Sequence, residues 1–292
     1  MWITLVIIYG LFKGVRDITK KKAMQISSTI EVLFAYTLLS FIMSAFLSFC
    51  SGEASPLETD FSRLWIIGIK SSVIFIAWIC SFKAIKKLPI GFYGIMDMSR
   101  VVIAAILSVV FLHEAPTAFK LAGMALVLLG LLLVNLKGEG ENGQKANTVY
   151  ILLVLVSCLM NAVSEILDKY LMGGGNLSSG QLQFWYMLFL VVLYLGYMLV
   201  SKTKINWKNL FKNYWLIIMS VLFVFGDKAL FEACKYENSS VIAMTLIKQC
   251  SVLITIIGGR IVFKEKHTLY KLLCAAIIIS GIVISVLPSA AI

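Results

Sequence analysis

The sequence predicts an all-α membrane protein of about ten transmembrane helices, arranged as two inverted five-helix repeats. Three observations predict it. Hydrophobic residues make up 60% of the 292-residue chain and charged residues only 14%, with a mean hydropathy of +0.93. A soluble domain, about half apolar, has no way to hide that much apolar surface. The apolar residues fall into runs near the 20 or so residues needed to cross a bilayer. The two halves of the chain also match one another at a nearly constant offset.

The runs lie at 2–22, 29–50, 64–85, 90–112, 117–136, 148–171, 181–201, 214–235, 239–262 and 268–287. Turn chemistry separates them: Ser51 to Pro56, Lys86 to Pro89, Lys137 to Gly143, Gly173 to Gly175 and Lys202 to Asn213. No segment alternates apolar and polar residues as a membrane β-barrel would. The first run lacks a small-residue cleavage site and leads into charged residues, so it reads as a retained helix rather than a signal peptide.

A shift of 148 lays residues 2–24 over 150–172, matching Ile3, Leu5, Val6, Leu11, Val15, Ile18, Lys21 and Met24 to identical residues, with Asp17 over Glu165. A shift of 151 lays 113–136 over 264–287, matching Glu114, Thr117, Lys120, Leu121, Ala125, Gly130 and Leu136. Matches among Leu and Val mean little between apolar helices, whereas matched acids, lysines and threonines carry weight. The expected organisation is a first repeat at 1–137, a polar linker at 138–147 and a second repeat at 148–292. Five spans per repeat is an odd number, so the second copy enters from the opposite side, an arrangement that places a substrate site near the midplane.

The formal net charge of +11 does not read as nucleic-acid binding, because the lysines cluster between apolar runs, where they meet lipid headgroups. Lys20, Lys21, Lys22, Lys86, Lys87, Lys137, Lys145, Lys202, Lys204, Lys208, Lys212, Lys264 and Lys266 are assigned to the loops after odd-numbered runs, against Arg63, Lys120, Lys169 and Lys235 after even-numbered ones, which by the positive-inside rule puts both termini outside. The six cysteines are scattered without a CxxC pair and read as small packing residues, not as disulfides or zinc ligands. No metal or other cofactor is expected. There is no HExxH, GxSxG or phosphate-binding loop, and His113 and His267 fall in turns, so no enzyme chemistry is legible.

Residues 93–134 resemble the drug/metabolite transporter superfamily, specifically its EamA-like permeases. In that family a helix ends in a turn of pattern fLgE, followed by a glycine-punctuated apolar helix. Here the first copy is Phe111-Leu112-His113-Glu114 with Gly123 and Gly130, and the second is Val262-Phe263-Lys264-Glu265 with Gly281. His113 and Lys264 stand where the family has Gly, and Gly258-Gly259 reads as a two-residue insertion. The resemblance implies secondary transport without ATP, and cytoplasmic termini as in many ten-helix relatives, against the lysine bias. Glu114 and Glu265 match the signature acid and read as caps of a short turn.

Ionisable groups at membrane depth cost at least about 2.5–3.5 kcal/mol and demand partners or function. Arg100 and Lys248 lie near the middle of the equivalent fourth and ninth runs, and two cations at one midplane cavity would attract a phosphate or carboxylate. Phosphate-translocating members of the superfamily resemble this placement. Alternatively Asp97, one turn before Arg100, neutralises it, and Lys248 pairs with Asp227 or Glu232. Asp17 and Glu165, equivalent under the repeat, either carry a coupling proton or sit as paired charges near the headgroups, with Lys13, Arg16 and Asp17 on one face. The headgroup reading is favoured. Tyr93, Trp78, Trp185, Tyr186 and Gln249 are candidate cavity walls.

The expected function is a secondary carrier moving a small polar metabolite by alternating access, anionic or amino-acid-like. The alternatives are a proton-coupled exporter of cationic or amphipathic drugs and a lipid-linked-sugar flippase. The expected partners are the solute and membrane lipids, with the chain a monomer or homodimer in a bacterial cytoplasmic membrane.

Overall fold

The structure, a computed structural model, describes residues 1–50, 55–112, 117–136, 147–174, 177–203 and 205–290. His113, Glu114, Lys137, Lys145, Gly175, Lys204 and nearly all of the 138–147 linker lie outside the described residues. Within those residues there are α-helices and short helical turns but no strand. The helices are α1 (Trp2–Ile26), α2 (Thr29–Cys50), α3 (Phe61–Lys87), α4 (Ile90–Asp97), α5 (Ser99–Leu112), α6 (Ala118–Leu136), α7 (Thr148–Lys169), α8 (Ser179–Val200), α9 (Trp207–Lys212), α10 (Trp215–Cys234), α11 (Val241–Lys248), α12 (Ser251–Phe263) and α13 (Thr268–Ala290).

Local chemistry sets several of the ends. Ser178 and Gln181 form a capping box at the start of α8, and the side chains of Asn147 and Ser240 accept the first free amides of α7 and α11. Pro89 precedes α4, where its missing N–H and fixed φ suit a helix entry. The acid of the second fLgE-like turn is indeed a cap, but of a different helix: the Glu265 carboxylate accepts from the amides of Ile90 and Gly91 at the head of α4 and pairs with Lys271 at 2.8 Å. Its negative charge also suits the positive end of the helix dipole.

Lys264, standing where the resembled family has Gly, ends α12 in the left-handed region at φ 54°, ψ 37°. That conformation explains the family preference, since only Gly adopts it without steric cost. Gly258 and Gly259, read from sequence as an insertion, lie inside the continuous helix α12.

Six helical stretches are long and apolar enough to cross a membrane: Thr29–Cys50, Phe61–Lys87, Ile90–Phe111, Thr148–Gly173, Ser179–Val200 and Val241–Phe263. Large apolar side chains such as Phe46, Trp65, Val110, Leu199 and Ile261 point outward, as in a bundle whose solvent is lipid.

Two expected continuous helices are broken. The run at 90–112 divides at Met98 between α4 and α5, and the run at 239–262 divides at Gln249–Cys250 between α11 and α12. At each break the backbone tightens: Met98 N–H donates to Ile95 O and Val101 N–H to Met98 O, while Gln249 N–H donates to Leu246 O and Val252 N–H to Gln249 O. These three-residue steps are 3₁₀-like and interrupt the regular four-residue ladder of the helix.

The packing repeats when the halves are exchanged. α1 lies on α10 as α7 lies on α3, and α1 meets α12 as α7 meets α5. α2 packs on α10 as α8 packs on α3, while α2 with α8 and α6 with α13 are pairs of counterparts. α1 approaches the α11–α12 break through Gly14, where a Cβ would lie 2.7 Å from both Ser251 O and Ile254 Cβ. Small residues are what permit such close helix contact.

Candidate functional site

Four charges of α1, Lys13, Arg16, Asp17 and Lys20, recur at spacings of three and four and so share one helical face. That face points to the bundle centre, and each of the four is buried. Lys20 and Lys21, counted from sequence as loop charges at the headgroups, are inside the bundle because α1 continues to Ile26. Lys21 Nζ donates to the Leu88 carbonyl at 2.6 Å, capping the end of α3. Part of the lysine bias behind the outward orientation of the termini therefore comes from residues that are not in loops.

The buried charges are paired across helices, as burial requires. Asp97 at the end of α4 receives Lys13 Nζ at 2.7 Å and Arg100 Nη2 at 2.9 Å. Glu165 on α7 receives Lys248 Nζ at 2.9 Å, Arg100 Nη1 at 3.5 Å and the Thr245 hydroxyl at 2.6 Å. Lys20 pairs with Asp17 at 2.8 Å, Lys70 with Asp168 at 3.1 Å, and Arg16 with Asp227 at 3.4 Å.

These groups surround a cavity of about 60 Å³, enough for very few waters. Five cations and four carboxylates line it. Rings form much of the remaining wall, with Ser81, Asn161, Ser164, Ile74 and Leu230 between them: Lys70 Nζ sits 3.6 Å from the Tyr186 ring centre, and Arg16 stacks on Phe223 at 5.0 Å. Trp78 meets Phe223 edge to face with centroids 5.4 Å apart.

Of the residues singled out from sequence, Arg100, Glu165, Asp17, Asp227, Tyr93, Trp78 and Tyr186 line the cavity. Asp97 and Lys248 stand one ion pair behind it. Lys248 pairs with Glu165, not with the acids of α10 that were considered for it. Asp17, expected near the headgroups, is 3% exposed at the cavity.

Three of the sequence candidates are elsewhere. Trp185 donates its indole N–H to Pro56 O at 2.7 Å, away from the cavity. Glu232 is half-buried away from the cavity, paired with Lys235 at 2.7 Å. Gln249 is buried at the α11–α12 break, its amide donating to Thr245 O at 3.2 Å.

Lys70 and Asp168 were missed. Lys70 interrupts an apolar run and Asp168 follows Glu165 by one turn, so the rule that flagged Arg100 also flags both. Among the described residues no His, Cys, Asp or Glu group is arranged to hold a metal ion, and all six cysteines are free thiols.

A helical bundle with six membrane-length apolar stretches, two broken helices and a buried polar cavity defines an integral, multi-pass membrane protein. The model of the EamA-like transporter family matches residues 1–136 and 148–287, and the chain belongs to that family, a family of membrane transporters. A solved crystal structure described only as that of a protein is similar in fold, with TM-score 0.69 and 13% identity over 98% of each chain. No curated protein matched the chain.

Proposed function

We propose that the chain is a secondary carrier that moves a small zwitterionic, amino-acid-like solute by alternating access. It would do so as ten spans: the six apolar stretches together with α1, α6, α10 and α13. The two repeats would be inverted and the organisation would follow the 1–137 and 148–292 division. The observation that carries the solute class is the near balance of the cavity, five cations against four carboxylates. The single surplus cation disfavours a cationic drug, and four carboxylates disfavour a multiply charged anion such as an organic phosphate. A cavity of both signs offers each end of a zwitterion a partner. Desolvated charge is expensive unless paired, so a solute that parts an internal cation–carboxylate pair must offer both a carboxylate and an ammonium, or one member of that pair is left bare.

The packing that maps onto itself between halves supports alternating access, because exchanging the conformations of the two repeats opens the other side. The broken helices supply places where backbone angles change without rupturing long helices.

Counterflow in vesicles containing the purified protein tests the reading. Labelled neutral amino acids should exchange faster than carboxylates or amines of the same size, with no lipid scrambling. Preference for a monocarboxylate, an organic phosphate or a cationic drug over every zwitterion would overturn it.

A further inference from the structure

We infer that Arg16 and Asp227 form the grip on the solute, the Arg16 guanidinium taking its carboxylate and Asp227 its ammonium, and that the solute is an α-amino acid with a small apolar side chain. This rests on the zwitterion reading above and adds which pair binds and what flanks it.

The pairs around the cavity are not equivalent. Lys13, Lys20, Lys70, Lys248 and Arg100 each hold a carboxylate at 2.7 to 3.1 Å. Arg16 has one ion pair among the described residues, to Asp227, and it is long at 3.4 Å. Its Nε has no hydrogen-bond partner among the described residues although Arg16 is only 6% exposed. A guanidinium presents five N–H donors in a fixed fork and meets a carboxylate best through two parallel bonds. Arg16 is thus a buried cation with unspent donors, and such groups call for an explanation. Arg100 also leaves its Nε unpartnered, but two carboxylates already hold it.

The surroundings fit a ligand at this point. Arg16 and Asp227 both line the cavity, one from α1 and one from α10, so a solute entering between them replaces one loose ion pair with two good ones. The Tyr36 ring packs edge to face on Phe223 at 5.3 Å, the ring on which Arg16 stacks, and its hydroxyl is fully buried without a partner. Tyr36 is not itself among the lining residues, so this buried polar group stands one ring behind the cavity. Ile74, Leu230 and Phe231 give the cavity an apolar wall for the side chain.

The test uses three probes sharing one carbon skeleton: L-leucine, 4-methylpentanoate, which lacks the amine, and 3-methylbutylamine, which lacks the carboxylate. Each competes with labelled L-leucine for counterflow in vesicles holding the full chain. Either truncated probe should compete at least about tenfold more weakly than leucine, the scale of one lost charge-assisted hydrogen-bond set. Asp227→Asn should erase leucine's advantage over 4-methylpentanoate, and Arg16→Gln its advantage over 3-methylbutylamine. A purely structural pair would lower all three together. Arg16→Lys and Asp227→Glu, which keep the charges, should retain measurable exchange and show that the bundle folds. Leucine exchange with unchanged preferences in Arg16→Gln and Asp227→Asn would overturn the grip while leaving the zwitterion reading intact. If the wild type exchanges polar but not apolar amino acids, the apolar side chain is wrong, and if it exchanges no amino acid at all, the zwitterion reading falls with it.

Discussion

The two helix breaks share a backbone and differ in charge. Asp97-Met98 and Lys248-Gln249 lie 151 positions apart, the offset of the repeat, and both breaks tighten through the same pair of three-residue hydrogen bonds. Yet the last residue of the first half-helix is an acid in one copy and a lysine in the other, and Arg100 on the far side of the first break faces Ser251 as its counterpart. The two breaks have the same backbone device and unlike charges, and charges from the two copies neutralise one another. Lys13 of α1 reaches Asp97, and Glu165 of α7 gathers Arg100 and Lys248 from both breaks. Glu165 therefore joins the repeats electrostatically, a role that neither half could fill alone.

The largest effect that would break this comparison is at that shared acid. Glu165→Gln should destabilise the protein by about 3–5 kcal/mol, because it leaves Lys248 buried without a carboxylate. Thermal or chemical unfolding in detergent measures it, and a loss under about 1 kcal/mol would show that the breaks are not joined there. Adding Lys248→Met to Glu165→Gln should restore about 1–4 kcal/mol, since an apolar pair often replaces a buried ion pair without penalty. No recovery in the double variant would mean that Glu165 acts through Arg100 instead.

A smaller effect sharpens the asymmetry. Thr245 donates to Glu165 at 2.6 Å, while the equivalent position in the first repeat is Gly94, which has no side chain to donate. Thr245→Val should cost about 1–2 kcal/mol by the same unfolding measurement, leaving the first break untouched. The smallest effect has the opposite sign. Lys264 holds a left-handed backbone at the end of α12, so Lys264→Gly should stabilise the protein by about 0.5–1 kcal/mol. A destabilisation would show that the lysine side chain holds the turn.

Much of the fold was legible because membranes make sequence rules strict. Apolar runs of bilayer length gave the positions of the helices, and the matched Lys21 and Lys169, or Thr117 and Thr268, gave the repeat. The breaks were not legible: neither 90–112 nor 239–262 contains a proline, and a 3₁₀ step leaves hydrophobic periodicity nearly unchanged. Within the site, Arg100, Glu165 and Asp97 stood out as charges in apolar runs. Trp185 and Glu232 were misleading because residue type does not reveal which way a side chain faces. Lys20 was placed in headgroups because a lysine run usually ends a span, whereas here α1 carries it into the bundle.

What the sequence determined by itself was an all-helical membrane protein made of two related halves with ionisable groups inside. The cost of unsatisfied backbone and bare charge in lipid leaves few alternatives. Which charges neutralise each other, and which one is left with donors to spare, was decided only by tertiary structure. Ion pairing falls off over a few ångströms, and residues 16 and 227 come within that range only when α1 packs on α10.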